Sequence, residues 1–380
     1  MKLTIVKNEL NEAISHVSKA VASKTSIPIL SGIKLEADES GLTLTASDTE
    51  ISIQNIIPAV QEEEVIIELQ RPGSVVLPAK FFVDIVKKLP ARIIEIEVLE
   101  HFITTIRAGS SEIQLVGLDP EEFPLLPRLS EERMLHLQSG VLSNMIRHTA
   151  FAASTNEASA ILTGILWSIT DRRLKFVATD RHRLASSEVE IQEHDTEYNR
   201  PIVVPAKTLQ DLSKILPDDN VILDIVIEDN QVLFRMENIL FYSRILDGTY
   251  PDTSKIIPTS FKTEFTIDTK SLSDALDRAY LLSREERTNI VRLASIDEQT
   301  IEISSSSSEL GKVTEQLEIE SFNGDPLKIA FNSRYLLDVM KVMDTERVHI
   351  SFTGAMSPII ITPEGSDAVL HLILPYRTTN

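Results

Sequence analysis

The chain of 380 residues contains no cysteine. Disulfides, thiolate zinc sites, iron–sulfur clusters and cysteine nucleophiles are therefore excluded together. Glycine is scarce, with 12 residues, or about 3% against a usual ~7%. Loops that cradle a phosphate on backbone N–H groups need glycine. None of Gly-x-x-x-x-Gly-Lys-Ser/Thr, Gly-x-Gly-x-x-Gly, Gly-x-Ser-x-Gly or His-Glu-x-x-His occurs. No run approaches 18 consecutive apolar residues, and Met1 to Leu10 carries no apolar signal region. A soluble, cytoplasmic protein without membrane contact is expected. Positive charge is the last deficit, with 37 Lys and Arg against 57 Asp and Glu, a formal net charge of -20. Spread evenly, that charge would repel nucleic acid and anionic membranes.

What is present is repetition. Val75 to Lys80, the helical run to Pro90 and the alternating Ile94 to Val98 form one unit. Ile202 to Lys207, the run to Pro217 and Ile222 to Ile227 form a second, and Ile329 to Arg334, the run to Asp344 and Val348 to Phe352 a third. Lys80, Lys207 and Arg334 are spaced 127 and 127 apart. A preceding set, Met1 to Lys24, Arg133 to Thr155 and Lys262 to Glu285, reads strand, break, helix, with Leu10, Leu142 and Leu272 at corresponding places. A third set begins at Leu30, Leu162 and Ile290. Three domains are predicted, 1–129, 130–259 and 260–380, with joins at Pro124 to Glu132 and Pro251 to Ser260. Each is α+β, with short consecutive strands in mainly antiparallel sheets and two helices. The serine run Ser304 to Ser308 reads as strand edge and turn.

Catalytic chemistry is hard to place. The eight histidines are scattered, and His182, in Thr179-Asp-Arg-His-Arg-Leu184, has no base or nucleophile partner at a telling spacing. A carboxylate hydrolase on a β-rich scaffold would require paired carboxylates, one with a raised pKa. The informative feature is the location of the cations. The helical windows 7–24, 80–88, 141–153, 206–215, 270–284 and 334–343 hold 14 Lys and Arg against 7 Asp and Glu. The remainder holds 23 against 50. Basic helices alternate with acidic strands and loops. A domain of this size is roughly 36 Å across, so three in a ring leave a hole of only about 6 Å, and six leave about 36 Å. A ring around duplex DNA thus needs two chains, joined head to tail.

The repeats, with Ser23 to Gly32, Thr179 to Leu184, Leu246 to Asp252 and Leu374 to Arg377, closely resemble the bacterial beta sliding clamp family, the processivity subunits of DNA polymerase III. The resemblance runs the whole length of the chain. It implies a non-enzymatic, ring-shaped head-to-tail homodimer of three tandem clamp domains per chain, with sheets outside and helices lining a hole for duplex DNA. No cofactor or metal is implied. A clamp-like paralogue acting as a scaffold in repair is the alternative.

By the family motif, Lys24 matches a DNA-contacting position in the loop after the first helix. Helix placement adds Lys80, Arg147, Lys207, Arg278 and Arg334 as DNA-binding candidates. The resemblance also implies a hydrophobic pocket for short linear motifs of polymerase, clamp loader and repair proteins. The matching residues are Leu162, Thr179, Arg181, His182, Arg183, Leu184, Pro251, Lys255, Ile256, Leu372, Ile373, Leu374, Pro375, Tyr376 and Arg377. Aliphatic walls would bury a partner's Leu and Phe, with Arg and His at the rim. Arg181 departs from the small residue common in the family, Tyr376 from an apolar one, and the chain continues to Asn380. Leu281 and Leu282 match the family's dimer contact.

Overall fold

A computed structural model of the chain describes residues 1–127, 134–192, 200–217, 220–285, 289–307 and 309–377. The join expected at 129/130, and with it Arg133, Ser308 and Thr378 to Asn380, lies outside the described residues. Six α-helices occur among the described residues: α1 (Lys7–Val17), α2 (Ala79–Lys88), α3 (Ser139–Thr149), α4 (Ala206–Ser213), α5 (Thr269–Ser283) and α6 (Ser333–Met340). Each begins directly where a strand ends. At two of these switches a side chain caps the helix, Asp268 accepting from the Ser271 N–H at 2.7 Å and Asn332 from the Arg334 N–H at 3.0 Å. Helix α1 buries Leu10, Ala13, Ile14 and Val17, a stripe at helical spacing. It stops earlier than the window ending at Lys24. A 3₁₀ turn, Ser18–Ala20, follows, and the Ser18 hydroxyl donates to the Ile14 carbonyl at 2.5 Å. Lys24 thus lies in a loop. The run from Ser304 to Ser307 is the end of a strand, Thr300–Ser307, and the Ser305 hydroxyl donates to the Ala279 carbonyl at 2.7 Å.

The strands follow one plan three times. A head half-sheet comprises Lys2–Val6, Ile93–Val98, Ile103–Ala108 and Ser111–Val116. Its counterparts are Met134–Gln138, Ile222–Ile227, Gln231–Met236 and Ile239–Arg244, then Thr263–Asp268, Arg347–Phe352, Ile359–Pro363 and Val369–Ile373. A tail half-sheet comprises Gly73–Pro78, Gly32–Asp38, Gly41–Ser47 and Ile51–Pro58. Its counterparts are Ile202–Pro205, Gly164–Thr170, Arg173–Thr179 and Arg183–Glu190, then Lys328–Asn332, Ile290–Ser295, Thr300–Ser307 and Gly311–Glu318. All these pairings are antiparallel.

Half-sheets of successive repeats are fused. Ile51–Pro58 pairs with Ile239–Arg244, giving an eight-stranded sheet. Arg183–Glu190 pairs with Val369–Ile373, giving, with the added strand Glu320–Gly324, a nine-stranded sheet. The chain accordingly divides into two compact units, residues 1–140 with 211–245, and residues 141–210 with 246–380. The middle repeat is shared between them because each of its half-sheets is completed by a different neighbour. The first head half-sheet and the third tail half-sheet have no such completion, and Ser111–Val116 and Gly311–Glu318 stand at the ends of their sheets.

In the second unit, α5 and α6 cover a core containing Phe265, Leu272, Leu276, Phe331 and Phe352. No described helix is long and apolar enough to cross a membrane. Phe352 is fully buried, with its ring 5.7 Å from that of Phe265. Phe352→Ala should destabilise the second unit by about 3–5 kcal/mol, read as a shift of its denaturant midpoint. A loss below about 1 kcal/mol would contradict this packing.

Candidate functional site

The strand pair that fuses the last two repeats also builds an apolar surface. Leu184 lies directly opposite Leu372 across the pairing. With Val177 and Ile360 from the flanking strands they form one buried cluster, against which Leu166, Ile257 and Leu370 pack. Leu162, Val203 and Tyr250 form a second cluster with Ile161, Leu166 and Leu246. Leu166 belongs to both, so the two are continuous. Exposed apolar residues are Ile256, Leu374 and Tyr376, at 45%, 38% and 50% exposure.

One rim is a closely hydrogen-bonded turn, Thr179 to Arg183. The Asp180 carboxylate accepts from the backbone N–H groups of His182 and Arg183 at 2.9 and 3.0 Å. The Thr179 hydroxyl donates to the Arg183 carbonyl at 2.6 Å and accepts from the Arg181 N–H at 3.1 Å. The Tyr250 hydroxyl accepts from the Thr179 N–H at 3.1 Å. Arg181 sits at φ 76, in the left-handed region where a small residue, above all glycine, is least strained. Its guanidinium reaches the Ser159 hydroxyl at 3.2 Å.

Arg183 does not point to the rim. Its Nε donates to Asp180 at 3.0 Å, Nη1 to Asp338 at 2.7 Å and Nη2 to the Phe151 carbonyl at 2.5 Å. The guanidinium also lies 4.7 Å from the Tyr335 ring centre and 5.4 Å from that of Phe151. Its side chain is 12% exposed, so it fastens the turn to α6 and to the segment after α3. His182 is exposed, its ring 6.4 Å from that of Tyr335.

The other residues divide by burial. Leu162, Thr179, Leu184, Leu372 and Ile373 are buried, but Ile373 faces the core of the third repeat. Pro251, Lys255 and Arg377 are exposed and Pro375 is intermediate. Ile256 is exposed, whereas its neighbour Ile257 packs on the Leu184 cluster. The tail runs beside the turn, the Leu374 N–H donating to the His182 carbonyl at 2.9 Å. Leu166, Val177, Tyr250, Ile257 and Ile360 were not among the sequence candidates. They are ordinary strand or loop residues whose convergence is set by the fold.

The basic candidates also separate. Arg147 is held by Asp344 and donates to the Val342 carbonyl at 3.0 Å. Arg278 forms a two-pronged pair with Glu315 on Gly311–Glu318, at 2.8 and 2.9 Å. Lys24, Lys80, Lys207 and Arg334 are exposed and make no ion pair among the described residues. Lys80, Lys207 and Arg334 are each the second residue of α2, α4 and α6. Leu281 is 53% exposed near the end of α5, and Leu282 is intermediate.

No group of three or more metal-ligating side chains occurs among the described residues. Each described carboxylate whose pKa departs from its ordinary value is shifted down, mainly by hydrogen bonds, as in Asp268, Glu315 and Asp344.

Behind Leu370 and Leu372, the His371 ring is fully buried, with neither nitrogen hydrogen-bonded among the described residues, 6.0 Å from the ring of His148. Burial, with the neighbouring His148 charge, pushes His371 down to about 3. Burial, then the Arg147 charge, pushes His148 down to about 4 against the opposing effect of Asp344. Both are neutral when folded, so their contribution is complete above about pH 6.5 and is lost as pH falls towards 4, because the unfolded chain takes up the protons. His371→Phe should therefore flatten the fall in stability between pH 6 and 4 by about 1.4 kcal/mol per pH unit. An unchanged slope would contradict the buried neutral ring.

This architecture, three repeats joined by fused half-sheets, is that of a clamp. Family models for the N-terminal, central and C-terminal domains of the DNA polymerase III beta subunit match residues 1–127, 136–252 and 254–377. The chain belongs to the DNA polymerase III beta subunit family. It is 46% identical to the beta sliding clamp of Bacillus subtilis over 380 residues, covering 100% of both chains. It is 42% identical over 378 residues to that of Staphylococcus aureus, again covering 100% of both. Among solved structures, the Bacillus subtilis sliding clamp superposes with a TM-score of 0.96 at 44% identity, over 100% of both chains. A Pseudomonas aeruginosa clamp bound to griselimycin gives 0.91 at 26%, again over 100% of both.

Proposed function

We propose that the chain works as a DNA sliding clamp. It is a non-enzymatic tether that closes as a head-to-tail homodimer around duplex DNA and holds the replicative polymerase, clamp loader and repair proteins through short linear motifs. Its place is the cytoplasm. The observation that carries the reading is the pair of unmatched half-sheets. Within the chain, the strand equivalent to Gly311–Glu318 is twice completed by the strand equivalent to Ser111–Val116. Continuing that rule joins Gly311–Glu318 of one chain to Ser111–Val116 of another. Two-fold symmetry makes the contact twice, and three repeats, 1–129, 130–259 and 260–380, become six.

Leu281 and Leu282 belong to this contact. Arg278 lies beside them and secures α5 to the edge strand through Glu315. Leu281→Asp with Leu282→Asp should give a monomer in sedimentation that no longer supports processive synthesis. A wild-type chain that sediments as a monomer at micromolar concentration would contradict the ring.

Lys24, Lys80, Lys207 and Arg334 supply an attraction to phosphates without base readout, which lets DNA pass. Arg147 and Arg278, engaged by carboxylates, contribute less. Replacing Lys80, Lys207 and Arg334 by Glu should lower the magnitude of the salt slope of DNA binding by about 0.9 for each phosphate no longer neutralised. Arg147→Ala should leave the slope nearly unchanged. Equal effects would contradict this division.

The motif pocket is the continuous Leu162–Leu166–Leu184–Leu372 surface, with Leu374 and Tyr376 at its edge. Arg183 is a positioning residue. Arg183→Lys keeps the charge but loses the fork that binds Asp180 and Asp338. It should weaken binding of a Leu/Phe-containing peptide several-fold by fluorescence anisotropy, with the dimer intact. Deleting residues 372–380 should abolish binding, and unchanged affinity in that variant would remove the pocket assignment.

A further inference from the structure

The seam between the first and second repeats reproduces the geometry of the motif pocket, but most of its wall is polar, with Pro124, Leu125 and Pro127 as its apolar side. The strand registers correspond residue by residue: Ser52 opposes Tyr242 where Leu184 opposes Leu372. The turn before them is the same. Asp48 accepts from the N–H groups of Glu50 and Ile51 at 2.9 and 2.8 Å, as Asp180 does from His182 and Arg183. The Ser47 hydroxyl accepts from the Thr49 N–H at 3.2 Å, as Thr179 does from Arg181. Thr49 sits at φ 79, close to Arg181 at 76. Leu30, Val76 and Phe123 cluster as Leu162, Val203 and Tyr250 do. On this frame lies a cavity of 280 Å³, lined by groups that include Thr49, Glu50, Ser52, Gln231, Tyr242 and Arg244.

We propose that this cavity is a second peptide subsite, one that accepts extended segments bearing amide side chains, Asn or Gln, in place of Leu and Phe. The inference rests on reading the Leu184–Leu372 surface as the motif pocket. Three observations favour an amide. Tyr242 is only 9% exposed, lines the cavity, and its hydroxyl has no hydrogen bond among the described residues; the Gln231 and Thr49 side chains are likewise without one there. Glu50 and Arg244 stand 3.7 Å apart, so the rim offers both an acceptor and a donor with no net charge. A neutral group with one donor end and one acceptor end satisfies both, whereas a leucine would cover these polar groups without replacing their water.

The test is a titration of the full-length dimer, followed by backbone amide chemical shifts, with two blocked amino acids, N-acetyl-glutamine N-methylamide and N-acetyl-leucine N-methylamide. The glutamine probe should give saturable shifts at Thr49, Glu50, Tyr242 and Ser243. The leucine probe should give them at Val177, Leu184 and Leu372. Tyr242→Phe should weaken the glutamine probe about fivefold, the loss of one hydrogen bond worth about 1 kcal/mol, and Gln231→Ala serves if the first variant misfolds. Ser52→Leu with Tyr242→Leu should abolish the glutamine response and bring the leucine probe to the first seam. No saturable glutamine shift there, or one unaffected by both single variants, overturns the proposal. Silence of the leucine probe at Leu184 and Leu372 overturns the motif-pocket reading instead, and the two failures are read at different residues.

Discussion

A strand at the edge of a sheet leaves a row of N–H and C=O groups without partners, and such a row must be covered, paired or blunted. This constraint organises the molecule. Each repeat is made of two half-sheets whose outer strands are open. Ile51–Pro58 closes on Ile239–Arg244, and Arg183–Glu190 closes on Val369–Ile373, in matching registers. The remaining pair, Gly311–Glu318 and Ser111–Val116, stands at sheet ends within the chain, and on the function proposed above its closure between two chains would turn a linear array into a ring. The same pairing that satisfies the backbone places Leu184 against Leu372 at one seam and Ser52 against Tyr242 at the other. On the function proposed above, assembly and partner recognition would both follow from one strand-pairing rule.

Charge segregation follows the same plan. The helices start where strands end, so Lys80, Lys207 and Arg334 recur at one position of three equivalent helices, exposed and unpaired among the described residues. The acidic excess lies on strands and loops, where Glu95 and Glu97 pair with Arg107 and Glu188 with Arg173. A net charge of -20 can therefore coexist with a polyanionic partner, because the acidic excess and the basic helices occupy different segments of the chain. Weak, screened attraction suits a ring, since retention is topological and tight binding would stall it.

Much of this was legible from the chain alone. The spacing of 127 that aligns Lys80, Lys207 and Arg334 locates equivalent helices, and alternation in Ile94 to Val98 and Ile222 to Ile227 locates equivalent strands. Leu184, Leu372 and the turn at Thr179 came from family resemblance, because nothing local distinguishes a pocket leucine from a core leucine. The rest depends on distant partners. Arg183 faces inward because Asp338 waits 155 residues later, and Arg147 is engaged because Asp344 lies 197 residues away. No local pattern encodes either. Leu166, Val177 and Ile360 are likewise alternating strand residues whose meeting is decided by sheet order. The end of α1 at Val17 escaped the periodicity because the apolar spacing continues to Ala20 in a tighter turn.

If the chain holds DNA by enclosing it, retention depends on the topology of the DNA. The direct measurement is to load the protein on nicked circular DNA, remove free protein, and cut the circle once. Enclosure predicts that bound protein is stable on the circle and leaves as soon as the DNA has ends. Protein that remains on the linear form as long as on the circle would contradict the account, since only ordinary surface binding is indifferent to topology.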